Sequence, residues 1–170
     1  MNEIVLRLIT EDELDAAIKL EQKCYSPEAA ATMAGFQFRY KHYRSFFWSA
    51  WLGDQLVGIT NGIRTSQTDC GDEMKGNQAD FFEGNNFCIL TIAVDAHYRG
   101  HGIGTMLLRK LIEQCRSSRI ETIILMCEEH LIPFYESEQF ERRGVSASTH
   151  GGIVWHEMRR VLHTMEHLTE

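Results

Sequence analysis

The sequence has no apolar run long enough to span a membrane, and its opening MNEIVLRLITEDE lacks the shape of a signal peptide. A cytoplasmic location without membrane contact is therefore expected. Nor is there an excess of positive charge: 17 Lys and Arg stand against 24 Asp and Glu, a formal net charge of −7. Nucleic acid is held by clustered cations, so it is not expected as a partner, whereas cationic small molecules are permitted. The five cysteines, at 24, 70, 88, 115 and 127, show no CxxC spacing and are odd in number, which excludes a simple disulfide framework. They read as reduced thiols, with Cys88, Cys115 and Cys127 in apolar elements as core. The eight histidines form no HExxH or Cys/His cluster, and His163 and His167 sit in a polar C-terminal tail, so no metal is expected. Repeats and low-complexity tracts are absent. A chain of 170 residues then implies one domain, 1–170, with a single core.

What is present is a strand, a glycine turn and a helix in direct succession from Cys88 to Cys115. Ile89 to Val94 is apolar and β-branched, as in a strand covered on both faces. Arg99 to Gly104, RGHGIG, supplies a turn, after which Ile103, Met106, Leu107, Leu108, Leu111, Ile112 and Cys115 recur at helical spacing. The first N–H groups of a helix lack intrahelical partners and carry the positive end of its dipole, so such a turn suits a phosphate. Gly102 and Gly104 let backbone approach the anion, and Arg99 adds a charge. The dinucleotide fingerprint fails because Thr105 stands where its third glycine belongs, and the P-loop fails because no Lys follows Gly104.

Around this unit, Glu3 to Ile9 reads as a strand, and Thr10 with Glu13 as a capping box opening a helix to about Cys24 that buries Leu14, Ala17, Ile18 and Leu20. Tyr25-Ser26-Pro27 stops it. Phe36, Phe38, Tyr40, Tyr43, Phe46, Phe47 and Trp48 follow, as core and, as a group, as a candidate aromatic acceptor pocket. Ser49 to Leu52 and Leu56 to Ile63 flank Gly53-Asp54 as a hairpin. Arg64 to Asn86 reads as a long polar loop with a short helix around Phe81 and Phe82. Glu121 to Cys127 is a strand, Leu131 to Glu138 a short helix, and Glu141 to Val145 with Ile153 to Arg160 a last strand pair. The alternation gives a mixed α/β sheet flanked by helices.

The pattern R-x-x-G-x-G after an apolar strand resembles the pyrophosphate loop of the GCN5-related N-acetyltransferases. The segment LMCEEHLIPFYESEQF, Leu125 to Phe140, is similar to the matching stretch of their arylalkylamine (serotonin) branch, and the resemblance spans most of the chain. It implies the fold of that superfamily and transfer of acetyl from acetyl-CoA to the primary amine of a small molecule, an arylalkylamine above all. It implies that Ile92, Ala93 and Val94 offer backbone to the pantetheine arm, and that Arg99, Gly100, His101, Gly102, Ile103, Gly104 and Thr105 hold the pyrophosphate. Tyr135 matches the family's tyrosine beside the coenzyme sulfur, so it is the expected general acid. Phe36, Phe38 and Leu90 are the candidates for substrate contact. A homodimer stays open.

Two departures from the resemblance matter. Cys88 and Leu90 stand where vertebrate members carry a pair of proton-relaying histidines, which leaves the base open, with Asp80 and Glu83 as candidates by position. Gln139 stands where the family has a glycine and where a helix end favours positive φ, a mismatch of about 1 kcal/mol. Polyamine acetylation, acetylation of a protein N-terminus or lysine, and a non-catalytic acyl-CoA-binding regulatory module are the competing readings.

Overall fold

The computed structural model describes residues 3–71, 74 and 84–162. In chain order run β1 (Ile4–Leu8), α1 (Leu14–Cys24), α2 (Met33–Tyr43), β2 (Trp48–Leu52), β3 (Gln55–Thr65), β4 (Asn86–Val94), α3 (Ile103–Ser117), β5 (Thr122–Cys127), α4 (Ile132–Glu136), β6 (Glu141–Val145) and β7 (His156–Val161). The strands form one sheet, ordered β1-β2-β3-β4-β5-β7-β6. Among the described residues only β4 and β5 are parallel neighbours, as a strand–helix–strand crossover through α3 requires. This is the mixed sheet flanked by helices that the alternation of elements predicts.

Helices cover both faces of the sheet. A methyl group built on Gly58 of β3 would press on Leu107 and Ile103 of α3, whereas its neighbour Ile59 packs with Leu14, Ile18 and Phe36 of α1 and α2. Successive residues of a strand point to opposite faces, so α3 lies on one and α1 with α2 on the other. The α3 stripe Ile103, Leu107, Leu108, Leu111, Ile112 and Cys115 is buried as its spacing predicts. The capping box at Thr10 forms, with its N–H donating to Glu13 Oε1 at 3.0 Å, and opens a 3₁₀ turn that runs into α1.

Helix α2 lies in the aromatic stretch, where the sequence pattern predicts no helix. Its apolar side chains are spread round the helix instead of along one stripe, and only Thr32, whose hydroxyl accepts from Gly35 N at 3.1 Å, marks its start. Phe36 is fully buried, edge-on to Phe47 with ring centroids 5.4 Å apart, and Tyr43, Phe46 and Phe47 are buried too. The expectation that Phe36 contacts substrate is therefore corrected: its ring is sealed in the core. The expected helix near Phe81 and Phe82, the candidate bases Asp80 and Glu83, and His163 and His167 lie outside the described residues.

One feature of the sheet positions the site. β4 and β5 pair from Asn86↔Thr122 to Ile89↔Leu125 and no further, although β4 continues to Val94 and β5 to Cys127. Beyond Ile89 the two strands part. On the other side β4 stays paired to β3 through Gly58↔Val94, with a register shift between Asn61 and Gly62. Glycine is required at 62, because a Cβ there would collide with the Cys88 carbonyl oxygen.

Candidate active site

The parting leaves one edge of β4 facing an opening. Along a strand the N–H and C=O of each residue point to one side and alternate with the next. Asp95 N donates to Val57 O on the β3 side, and Ala93 shares that parity. Ile92 and Val94 therefore turn their polar groups to the opening, while Ala93 faces β3 and its side chain is core. Three groups occupy these carbonyls: Tyr25 Oη donates to Ile92 O at 3.1 Å, Arg99 Nε to Val94 O at 3.0 Å, and Cys24 Sγ lies 3.5 Å from Val94 O. From the sequence Tyr25 is expected only as part of a helix stop. It stands on the wall of the opening.

At the end of β4, Asp95 accepts from His97 N at 2.9 Å and its carboxyl is held below the usual carboxylate range, chiefly by that backbone bond. The glycine turn follows. Gly100 and Gly102 have φ of +82° and +83°, which side chains resist, and a Cβ on either would meet nothing within 4 Å. The two glycines thus serve backbone conformation beside open space. Gly102 caps α3 with no side-chain bond, and the first intrahelical donor to it is Met106 N at 3.0 Å, so the N–H groups of Ile103, Gly104 and Thr105 have no intrahelical acceptor. His101 and Arg99 are exposed at the rim, while the Ile103 side chain is core, leaving only its backbone for a ligand.

Across the opening, α4 carries Tyr135. Its ring is edge-on to Phe134 and Phe140, at 4.9 and 5.7 Å between centroids, and Phe134 reaches the start of α3 at Gly104. Burial pushes the Tyr135 phenol up from its ordinary value, with Cys127 adding to the effect. Tyr25 is likewise raised, first by burial, then by Glu21 and Tyr135. A helix-ending motif fixes Tyr135: Phe140 N donates to Tyr135 O at 3.1 Å and Gln139 N to Glu136 O at 3.0 Å, with Gln139 left-handed at φ +70°.

Beside the root of the parting lies a cavity of about 70 Å³, lined by Glu21, Ala29 to Thr32, Arg39, Leu90 and His150. Two of its walls are loops latched together. His150 Nε2 donates to Ala29 O at 2.9 Å, and Gly151, at φ +67°, comes so near Ala29 that a Cβ would sit 2.8 Å from that of Ala29. Glu21 and Arg39 are 3% and 1% exposed. Of the expected substrate contacts, Leu90 lines this cavity, whereas Phe38 packs on His42 at 4.6 Å between rings. Neither Glu21 nor Arg39 stood out in the sequence, although Glu21 continues the buried stripe of Leu14, Ala17 and Ile18. No group of three His, Cys, Asp or Glu side chains that could hold a metal exists among the described residues, and no helix among them is long and apolar enough to cross a membrane.

The sheet is thus parted at one strand pair, with an uncapped, glycine-led helix at the end of the parting. The chain belongs to the acetyltransferase (GNAT) family, whose model matches residues 9–140. It is 28% identical over 142 residues to an uncharacterized protein of Mycobacterium leprae, covering 84% of this chain and 36% of that protein. To the serotonin N-acetyltransferase of Mesocricetus auratus it is 33% identical over 69 residues, 40% of this chain and 33% of that enzyme. The chain thus spans about a third of the length of these relatives. Among solved structures, Arabidopsis thaliana Naa50 in complex with the bisubstrate analogue CoA-Ac-MVNAL superposes with a TM-score of 0.74 at 17% identity, over 94% of this chain and 99% of that one.

Proposed function

We propose that the protein is an acetyl-CoA-dependent N-acetyltransferase that moves acetyl to the primary amine of a small molecule, an arylalkylamine. The observation that carries this reading is the parting of β4 from β5 beyond Ile89, ending at the open N-terminus of α3. Acetyl-CoA fits that shape: pantetheine along the Ile92 and Val94 edge, pyrophosphate on the N–H groups of Ile103 to Thr105 with Arg99 beside it. Tyr25 and Arg99 then yield the β4 carbonyls to the ligand. The bisubstrate analogue bound by the superposable plant protein supports CoA as the cosubstrate.

The amine nitrogen attacks the thioester carbon, the C–S bond breaks, and acetamide and CoA thiol form. An N–H of β4 polarises the carbonyl. Tyr135 donates a hydrogen bond to the leaving thiolate and passes it a proton, and the proton that the amide nitrogen sheds travels through water to restore the phenol. Because burial raises the phenol above its ordinary value near 10, full transfer to a thiolate near 8.5 is uphill by more than ~2 kcal/mol. Hydrogen-bond donation is therefore the larger part of its role.

A small acceptor is favoured over a protein chain by the latch of His150 and Gly151 onto Ala29, which roofs the cavity where an extended peptide would need an open groove. A polyamine needs several carboxylates, and Glu21 is the one acidic side chain lining the cavity among the described residues. The partial likeness to a serotonin N-acetyltransferase supports an aromatic body on the amine. The test is release of CoA thiol across a panel of tryptamine, phenethylamine, spermidine and short peptides. Preference for the arylalkylamines supports the reading, preference for spermidine or peptide refutes the acceptor class, and CoA binding without turnover on any amine points to an acyl-CoA-binding module.

A further inference from the structure

We propose that Cys70 and Cys88 form a reversible thiol–disulfide site, in which a peroxide oxidises Cys70 and Cys88 closes a bridge onto it. Such a site is separate from acyl transfer and stands whatever the acceptor is.

The two sulfurs lie 3.0 Å apart, although 18 positions separate the residues in the chain. A disulfide bond is about 2.05 Å long, so closure asks the two side chains to approach by about 1 Å in all. Both residues are held in place by the sheet. Cys88 lies inside β4, paired to Ile63 of β3 on one side and to Ile124 of β5 on the other. Cys70 follows β3 on a segment tied back to neighbouring strands: Asn86 Nδ2 donates to Gln67 O at 2.9 Å, and the Cys70 N–H bonds the Glu157 carboxylate of β7.

Access divides the roles. Cys70 is 9% exposed and follows the exposed Thr68 and Asp69, whereas Cys88 is fully buried. A small oxidant therefore reaches Cys70 first, and Cys88 is the sheltered resolving thiol. The other three thiols are poorer targets, because burial pushes Cys24, Cys115 and Cys127 up from their ordinary values and a thiol that keeps its proton is a weak nucleophile.

The chemistry closes with hydrogen peroxide as the oxidant. The Cys70 sulfur attacks one peroxide oxygen, the O–O bond breaks, and the departing hydroxide leaves as water with the thiol's proton, so that Cys70 becomes a sulfenic acid. The Cys88 sulfur then attacks the Cys70 sulfur, the S–O bond breaks, and a second water carries off the Cys88 proton. Two thiols are oxidised and one peroxide is reduced to two waters. The bridge ties the segment after β3 to the strand that carries Leu90 of the cavity wall.

The experiment treats the full chain with hydrogen peroxide, then counts thiols in denaturant and maps linked peptides by mass spectrometry without reduction. Wild type is expected to fall from five thiols to three, with Cys70 linked to Cys88, and to return to five with dithiothreitol. Cys88→Ser should hold a sulfenic acid at Cys70 that dimedone traps, while Cys70→Ser leaves Cys88 reduced. The bridge should raise the melting temperature of wild type by about 5–10 °C and of neither serine variant. The mapping on wild type decides even where a variant does not fold. Cys70 driven to sulfinic acid with Cys88 still reduced, a bridge from either residue to Cys24, or an equal rise in melting temperature in a serine variant would overturn the proposal.

Discussion

Replacing Gln139 by glycine is expected to stabilise the protein without altering its chemistry. Gln139 follows α4 with φ +70°, a conformation that costs a residue with a Cβ about 1 kcal/mol or more and glycine nothing. Its side chain is exposed, so little contact is lost. The two bonds closing the motif, Phe140 N to Tyr135 O and Gln139 N to Glu136 O, come from backbone and persist. Glycine's greater freedom in the unfolded chain offsets part of the gain, leaving ~0.5–1 kcal/mol. For a domain of this size that is a rise of about 1–4 °C in melting temperature. A paired variant, Gln139→Val, should move the other way, because a β-branched side chain tolerates positive φ least. Thermal and urea melts of the three proteins give the answer, with amine kcat as the control. A glycine variant melting lower than wild type would refute the strain argument.

Tyr135→Phe should bind acetyl-CoA as wild type does, by thermal shift, yet turn over 10²- to 10⁴-fold more slowly; an unchanged kcat would reduce Tyr135 to packing. Since burial holds the Tyr135 proton above the ordinary phenol value, wild-type kcat/KM should climb from pH 7 to 9.5 as the amine deprotonates, with no falling limb; a bell centred near neutrality would contradict this. Stability should fall in alkali. Tyr25, Tyr43 and Tyr135 all hold their protons more tightly folded than the unfolded value of 10.0, and Tyr43 rises to about 12. The unfolded chain therefore ionises first, and stability is complete below pH 10 and declines above it, by up to ~1.4 kcal/mol per pH unit for each. A urea midpoint that stays level from pH 9 to 11 would overturn that reasoning.

The strand, glycine turn and helix from Cys88 to Cys115 were legible because each obeys a local rule: β-branched burial, positive-φ glycines, a 3.6-residue stripe. The positive φ at Gln139 was legible for the same reason, from the position of a residue after a helix. Helix α2 was not, because aromatics around its whole circumference imitate a loop-borne pocket, and burial of Phe36 depends on Phe47, which lies beyond the helix. The acceptor cavity was hidden for another reason. Glu21, Arg39, Leu90 and His150 come from four separate elements and meet only after α1, α2, β4 and the β6–β7 loop have packed. Charged residues are mostly exposed, so nothing in the sequence marks Glu21 and Arg39 as buried. The parting of β4 from β5 was equally invisible, since it is a fact of pairing between strands with no signature in either one.

The central claim is that acetyl-CoA binds at the open N-terminus of α3, and the melting temperature with and without acetyl-CoA for wild type and Gly102→Glu tests it most directly. At a hundredfold excess over Kd, binding stabilises the fold by ~2.7 kcal/mol, so wild type should melt several degrees higher with the ligand. Gly102→Glu places a strained, negatively charged side chain where φ is +83° beside the phosphate position, and should show little or no shift. Equal shifts in the two proteins, or none in wild type, would contradict the account.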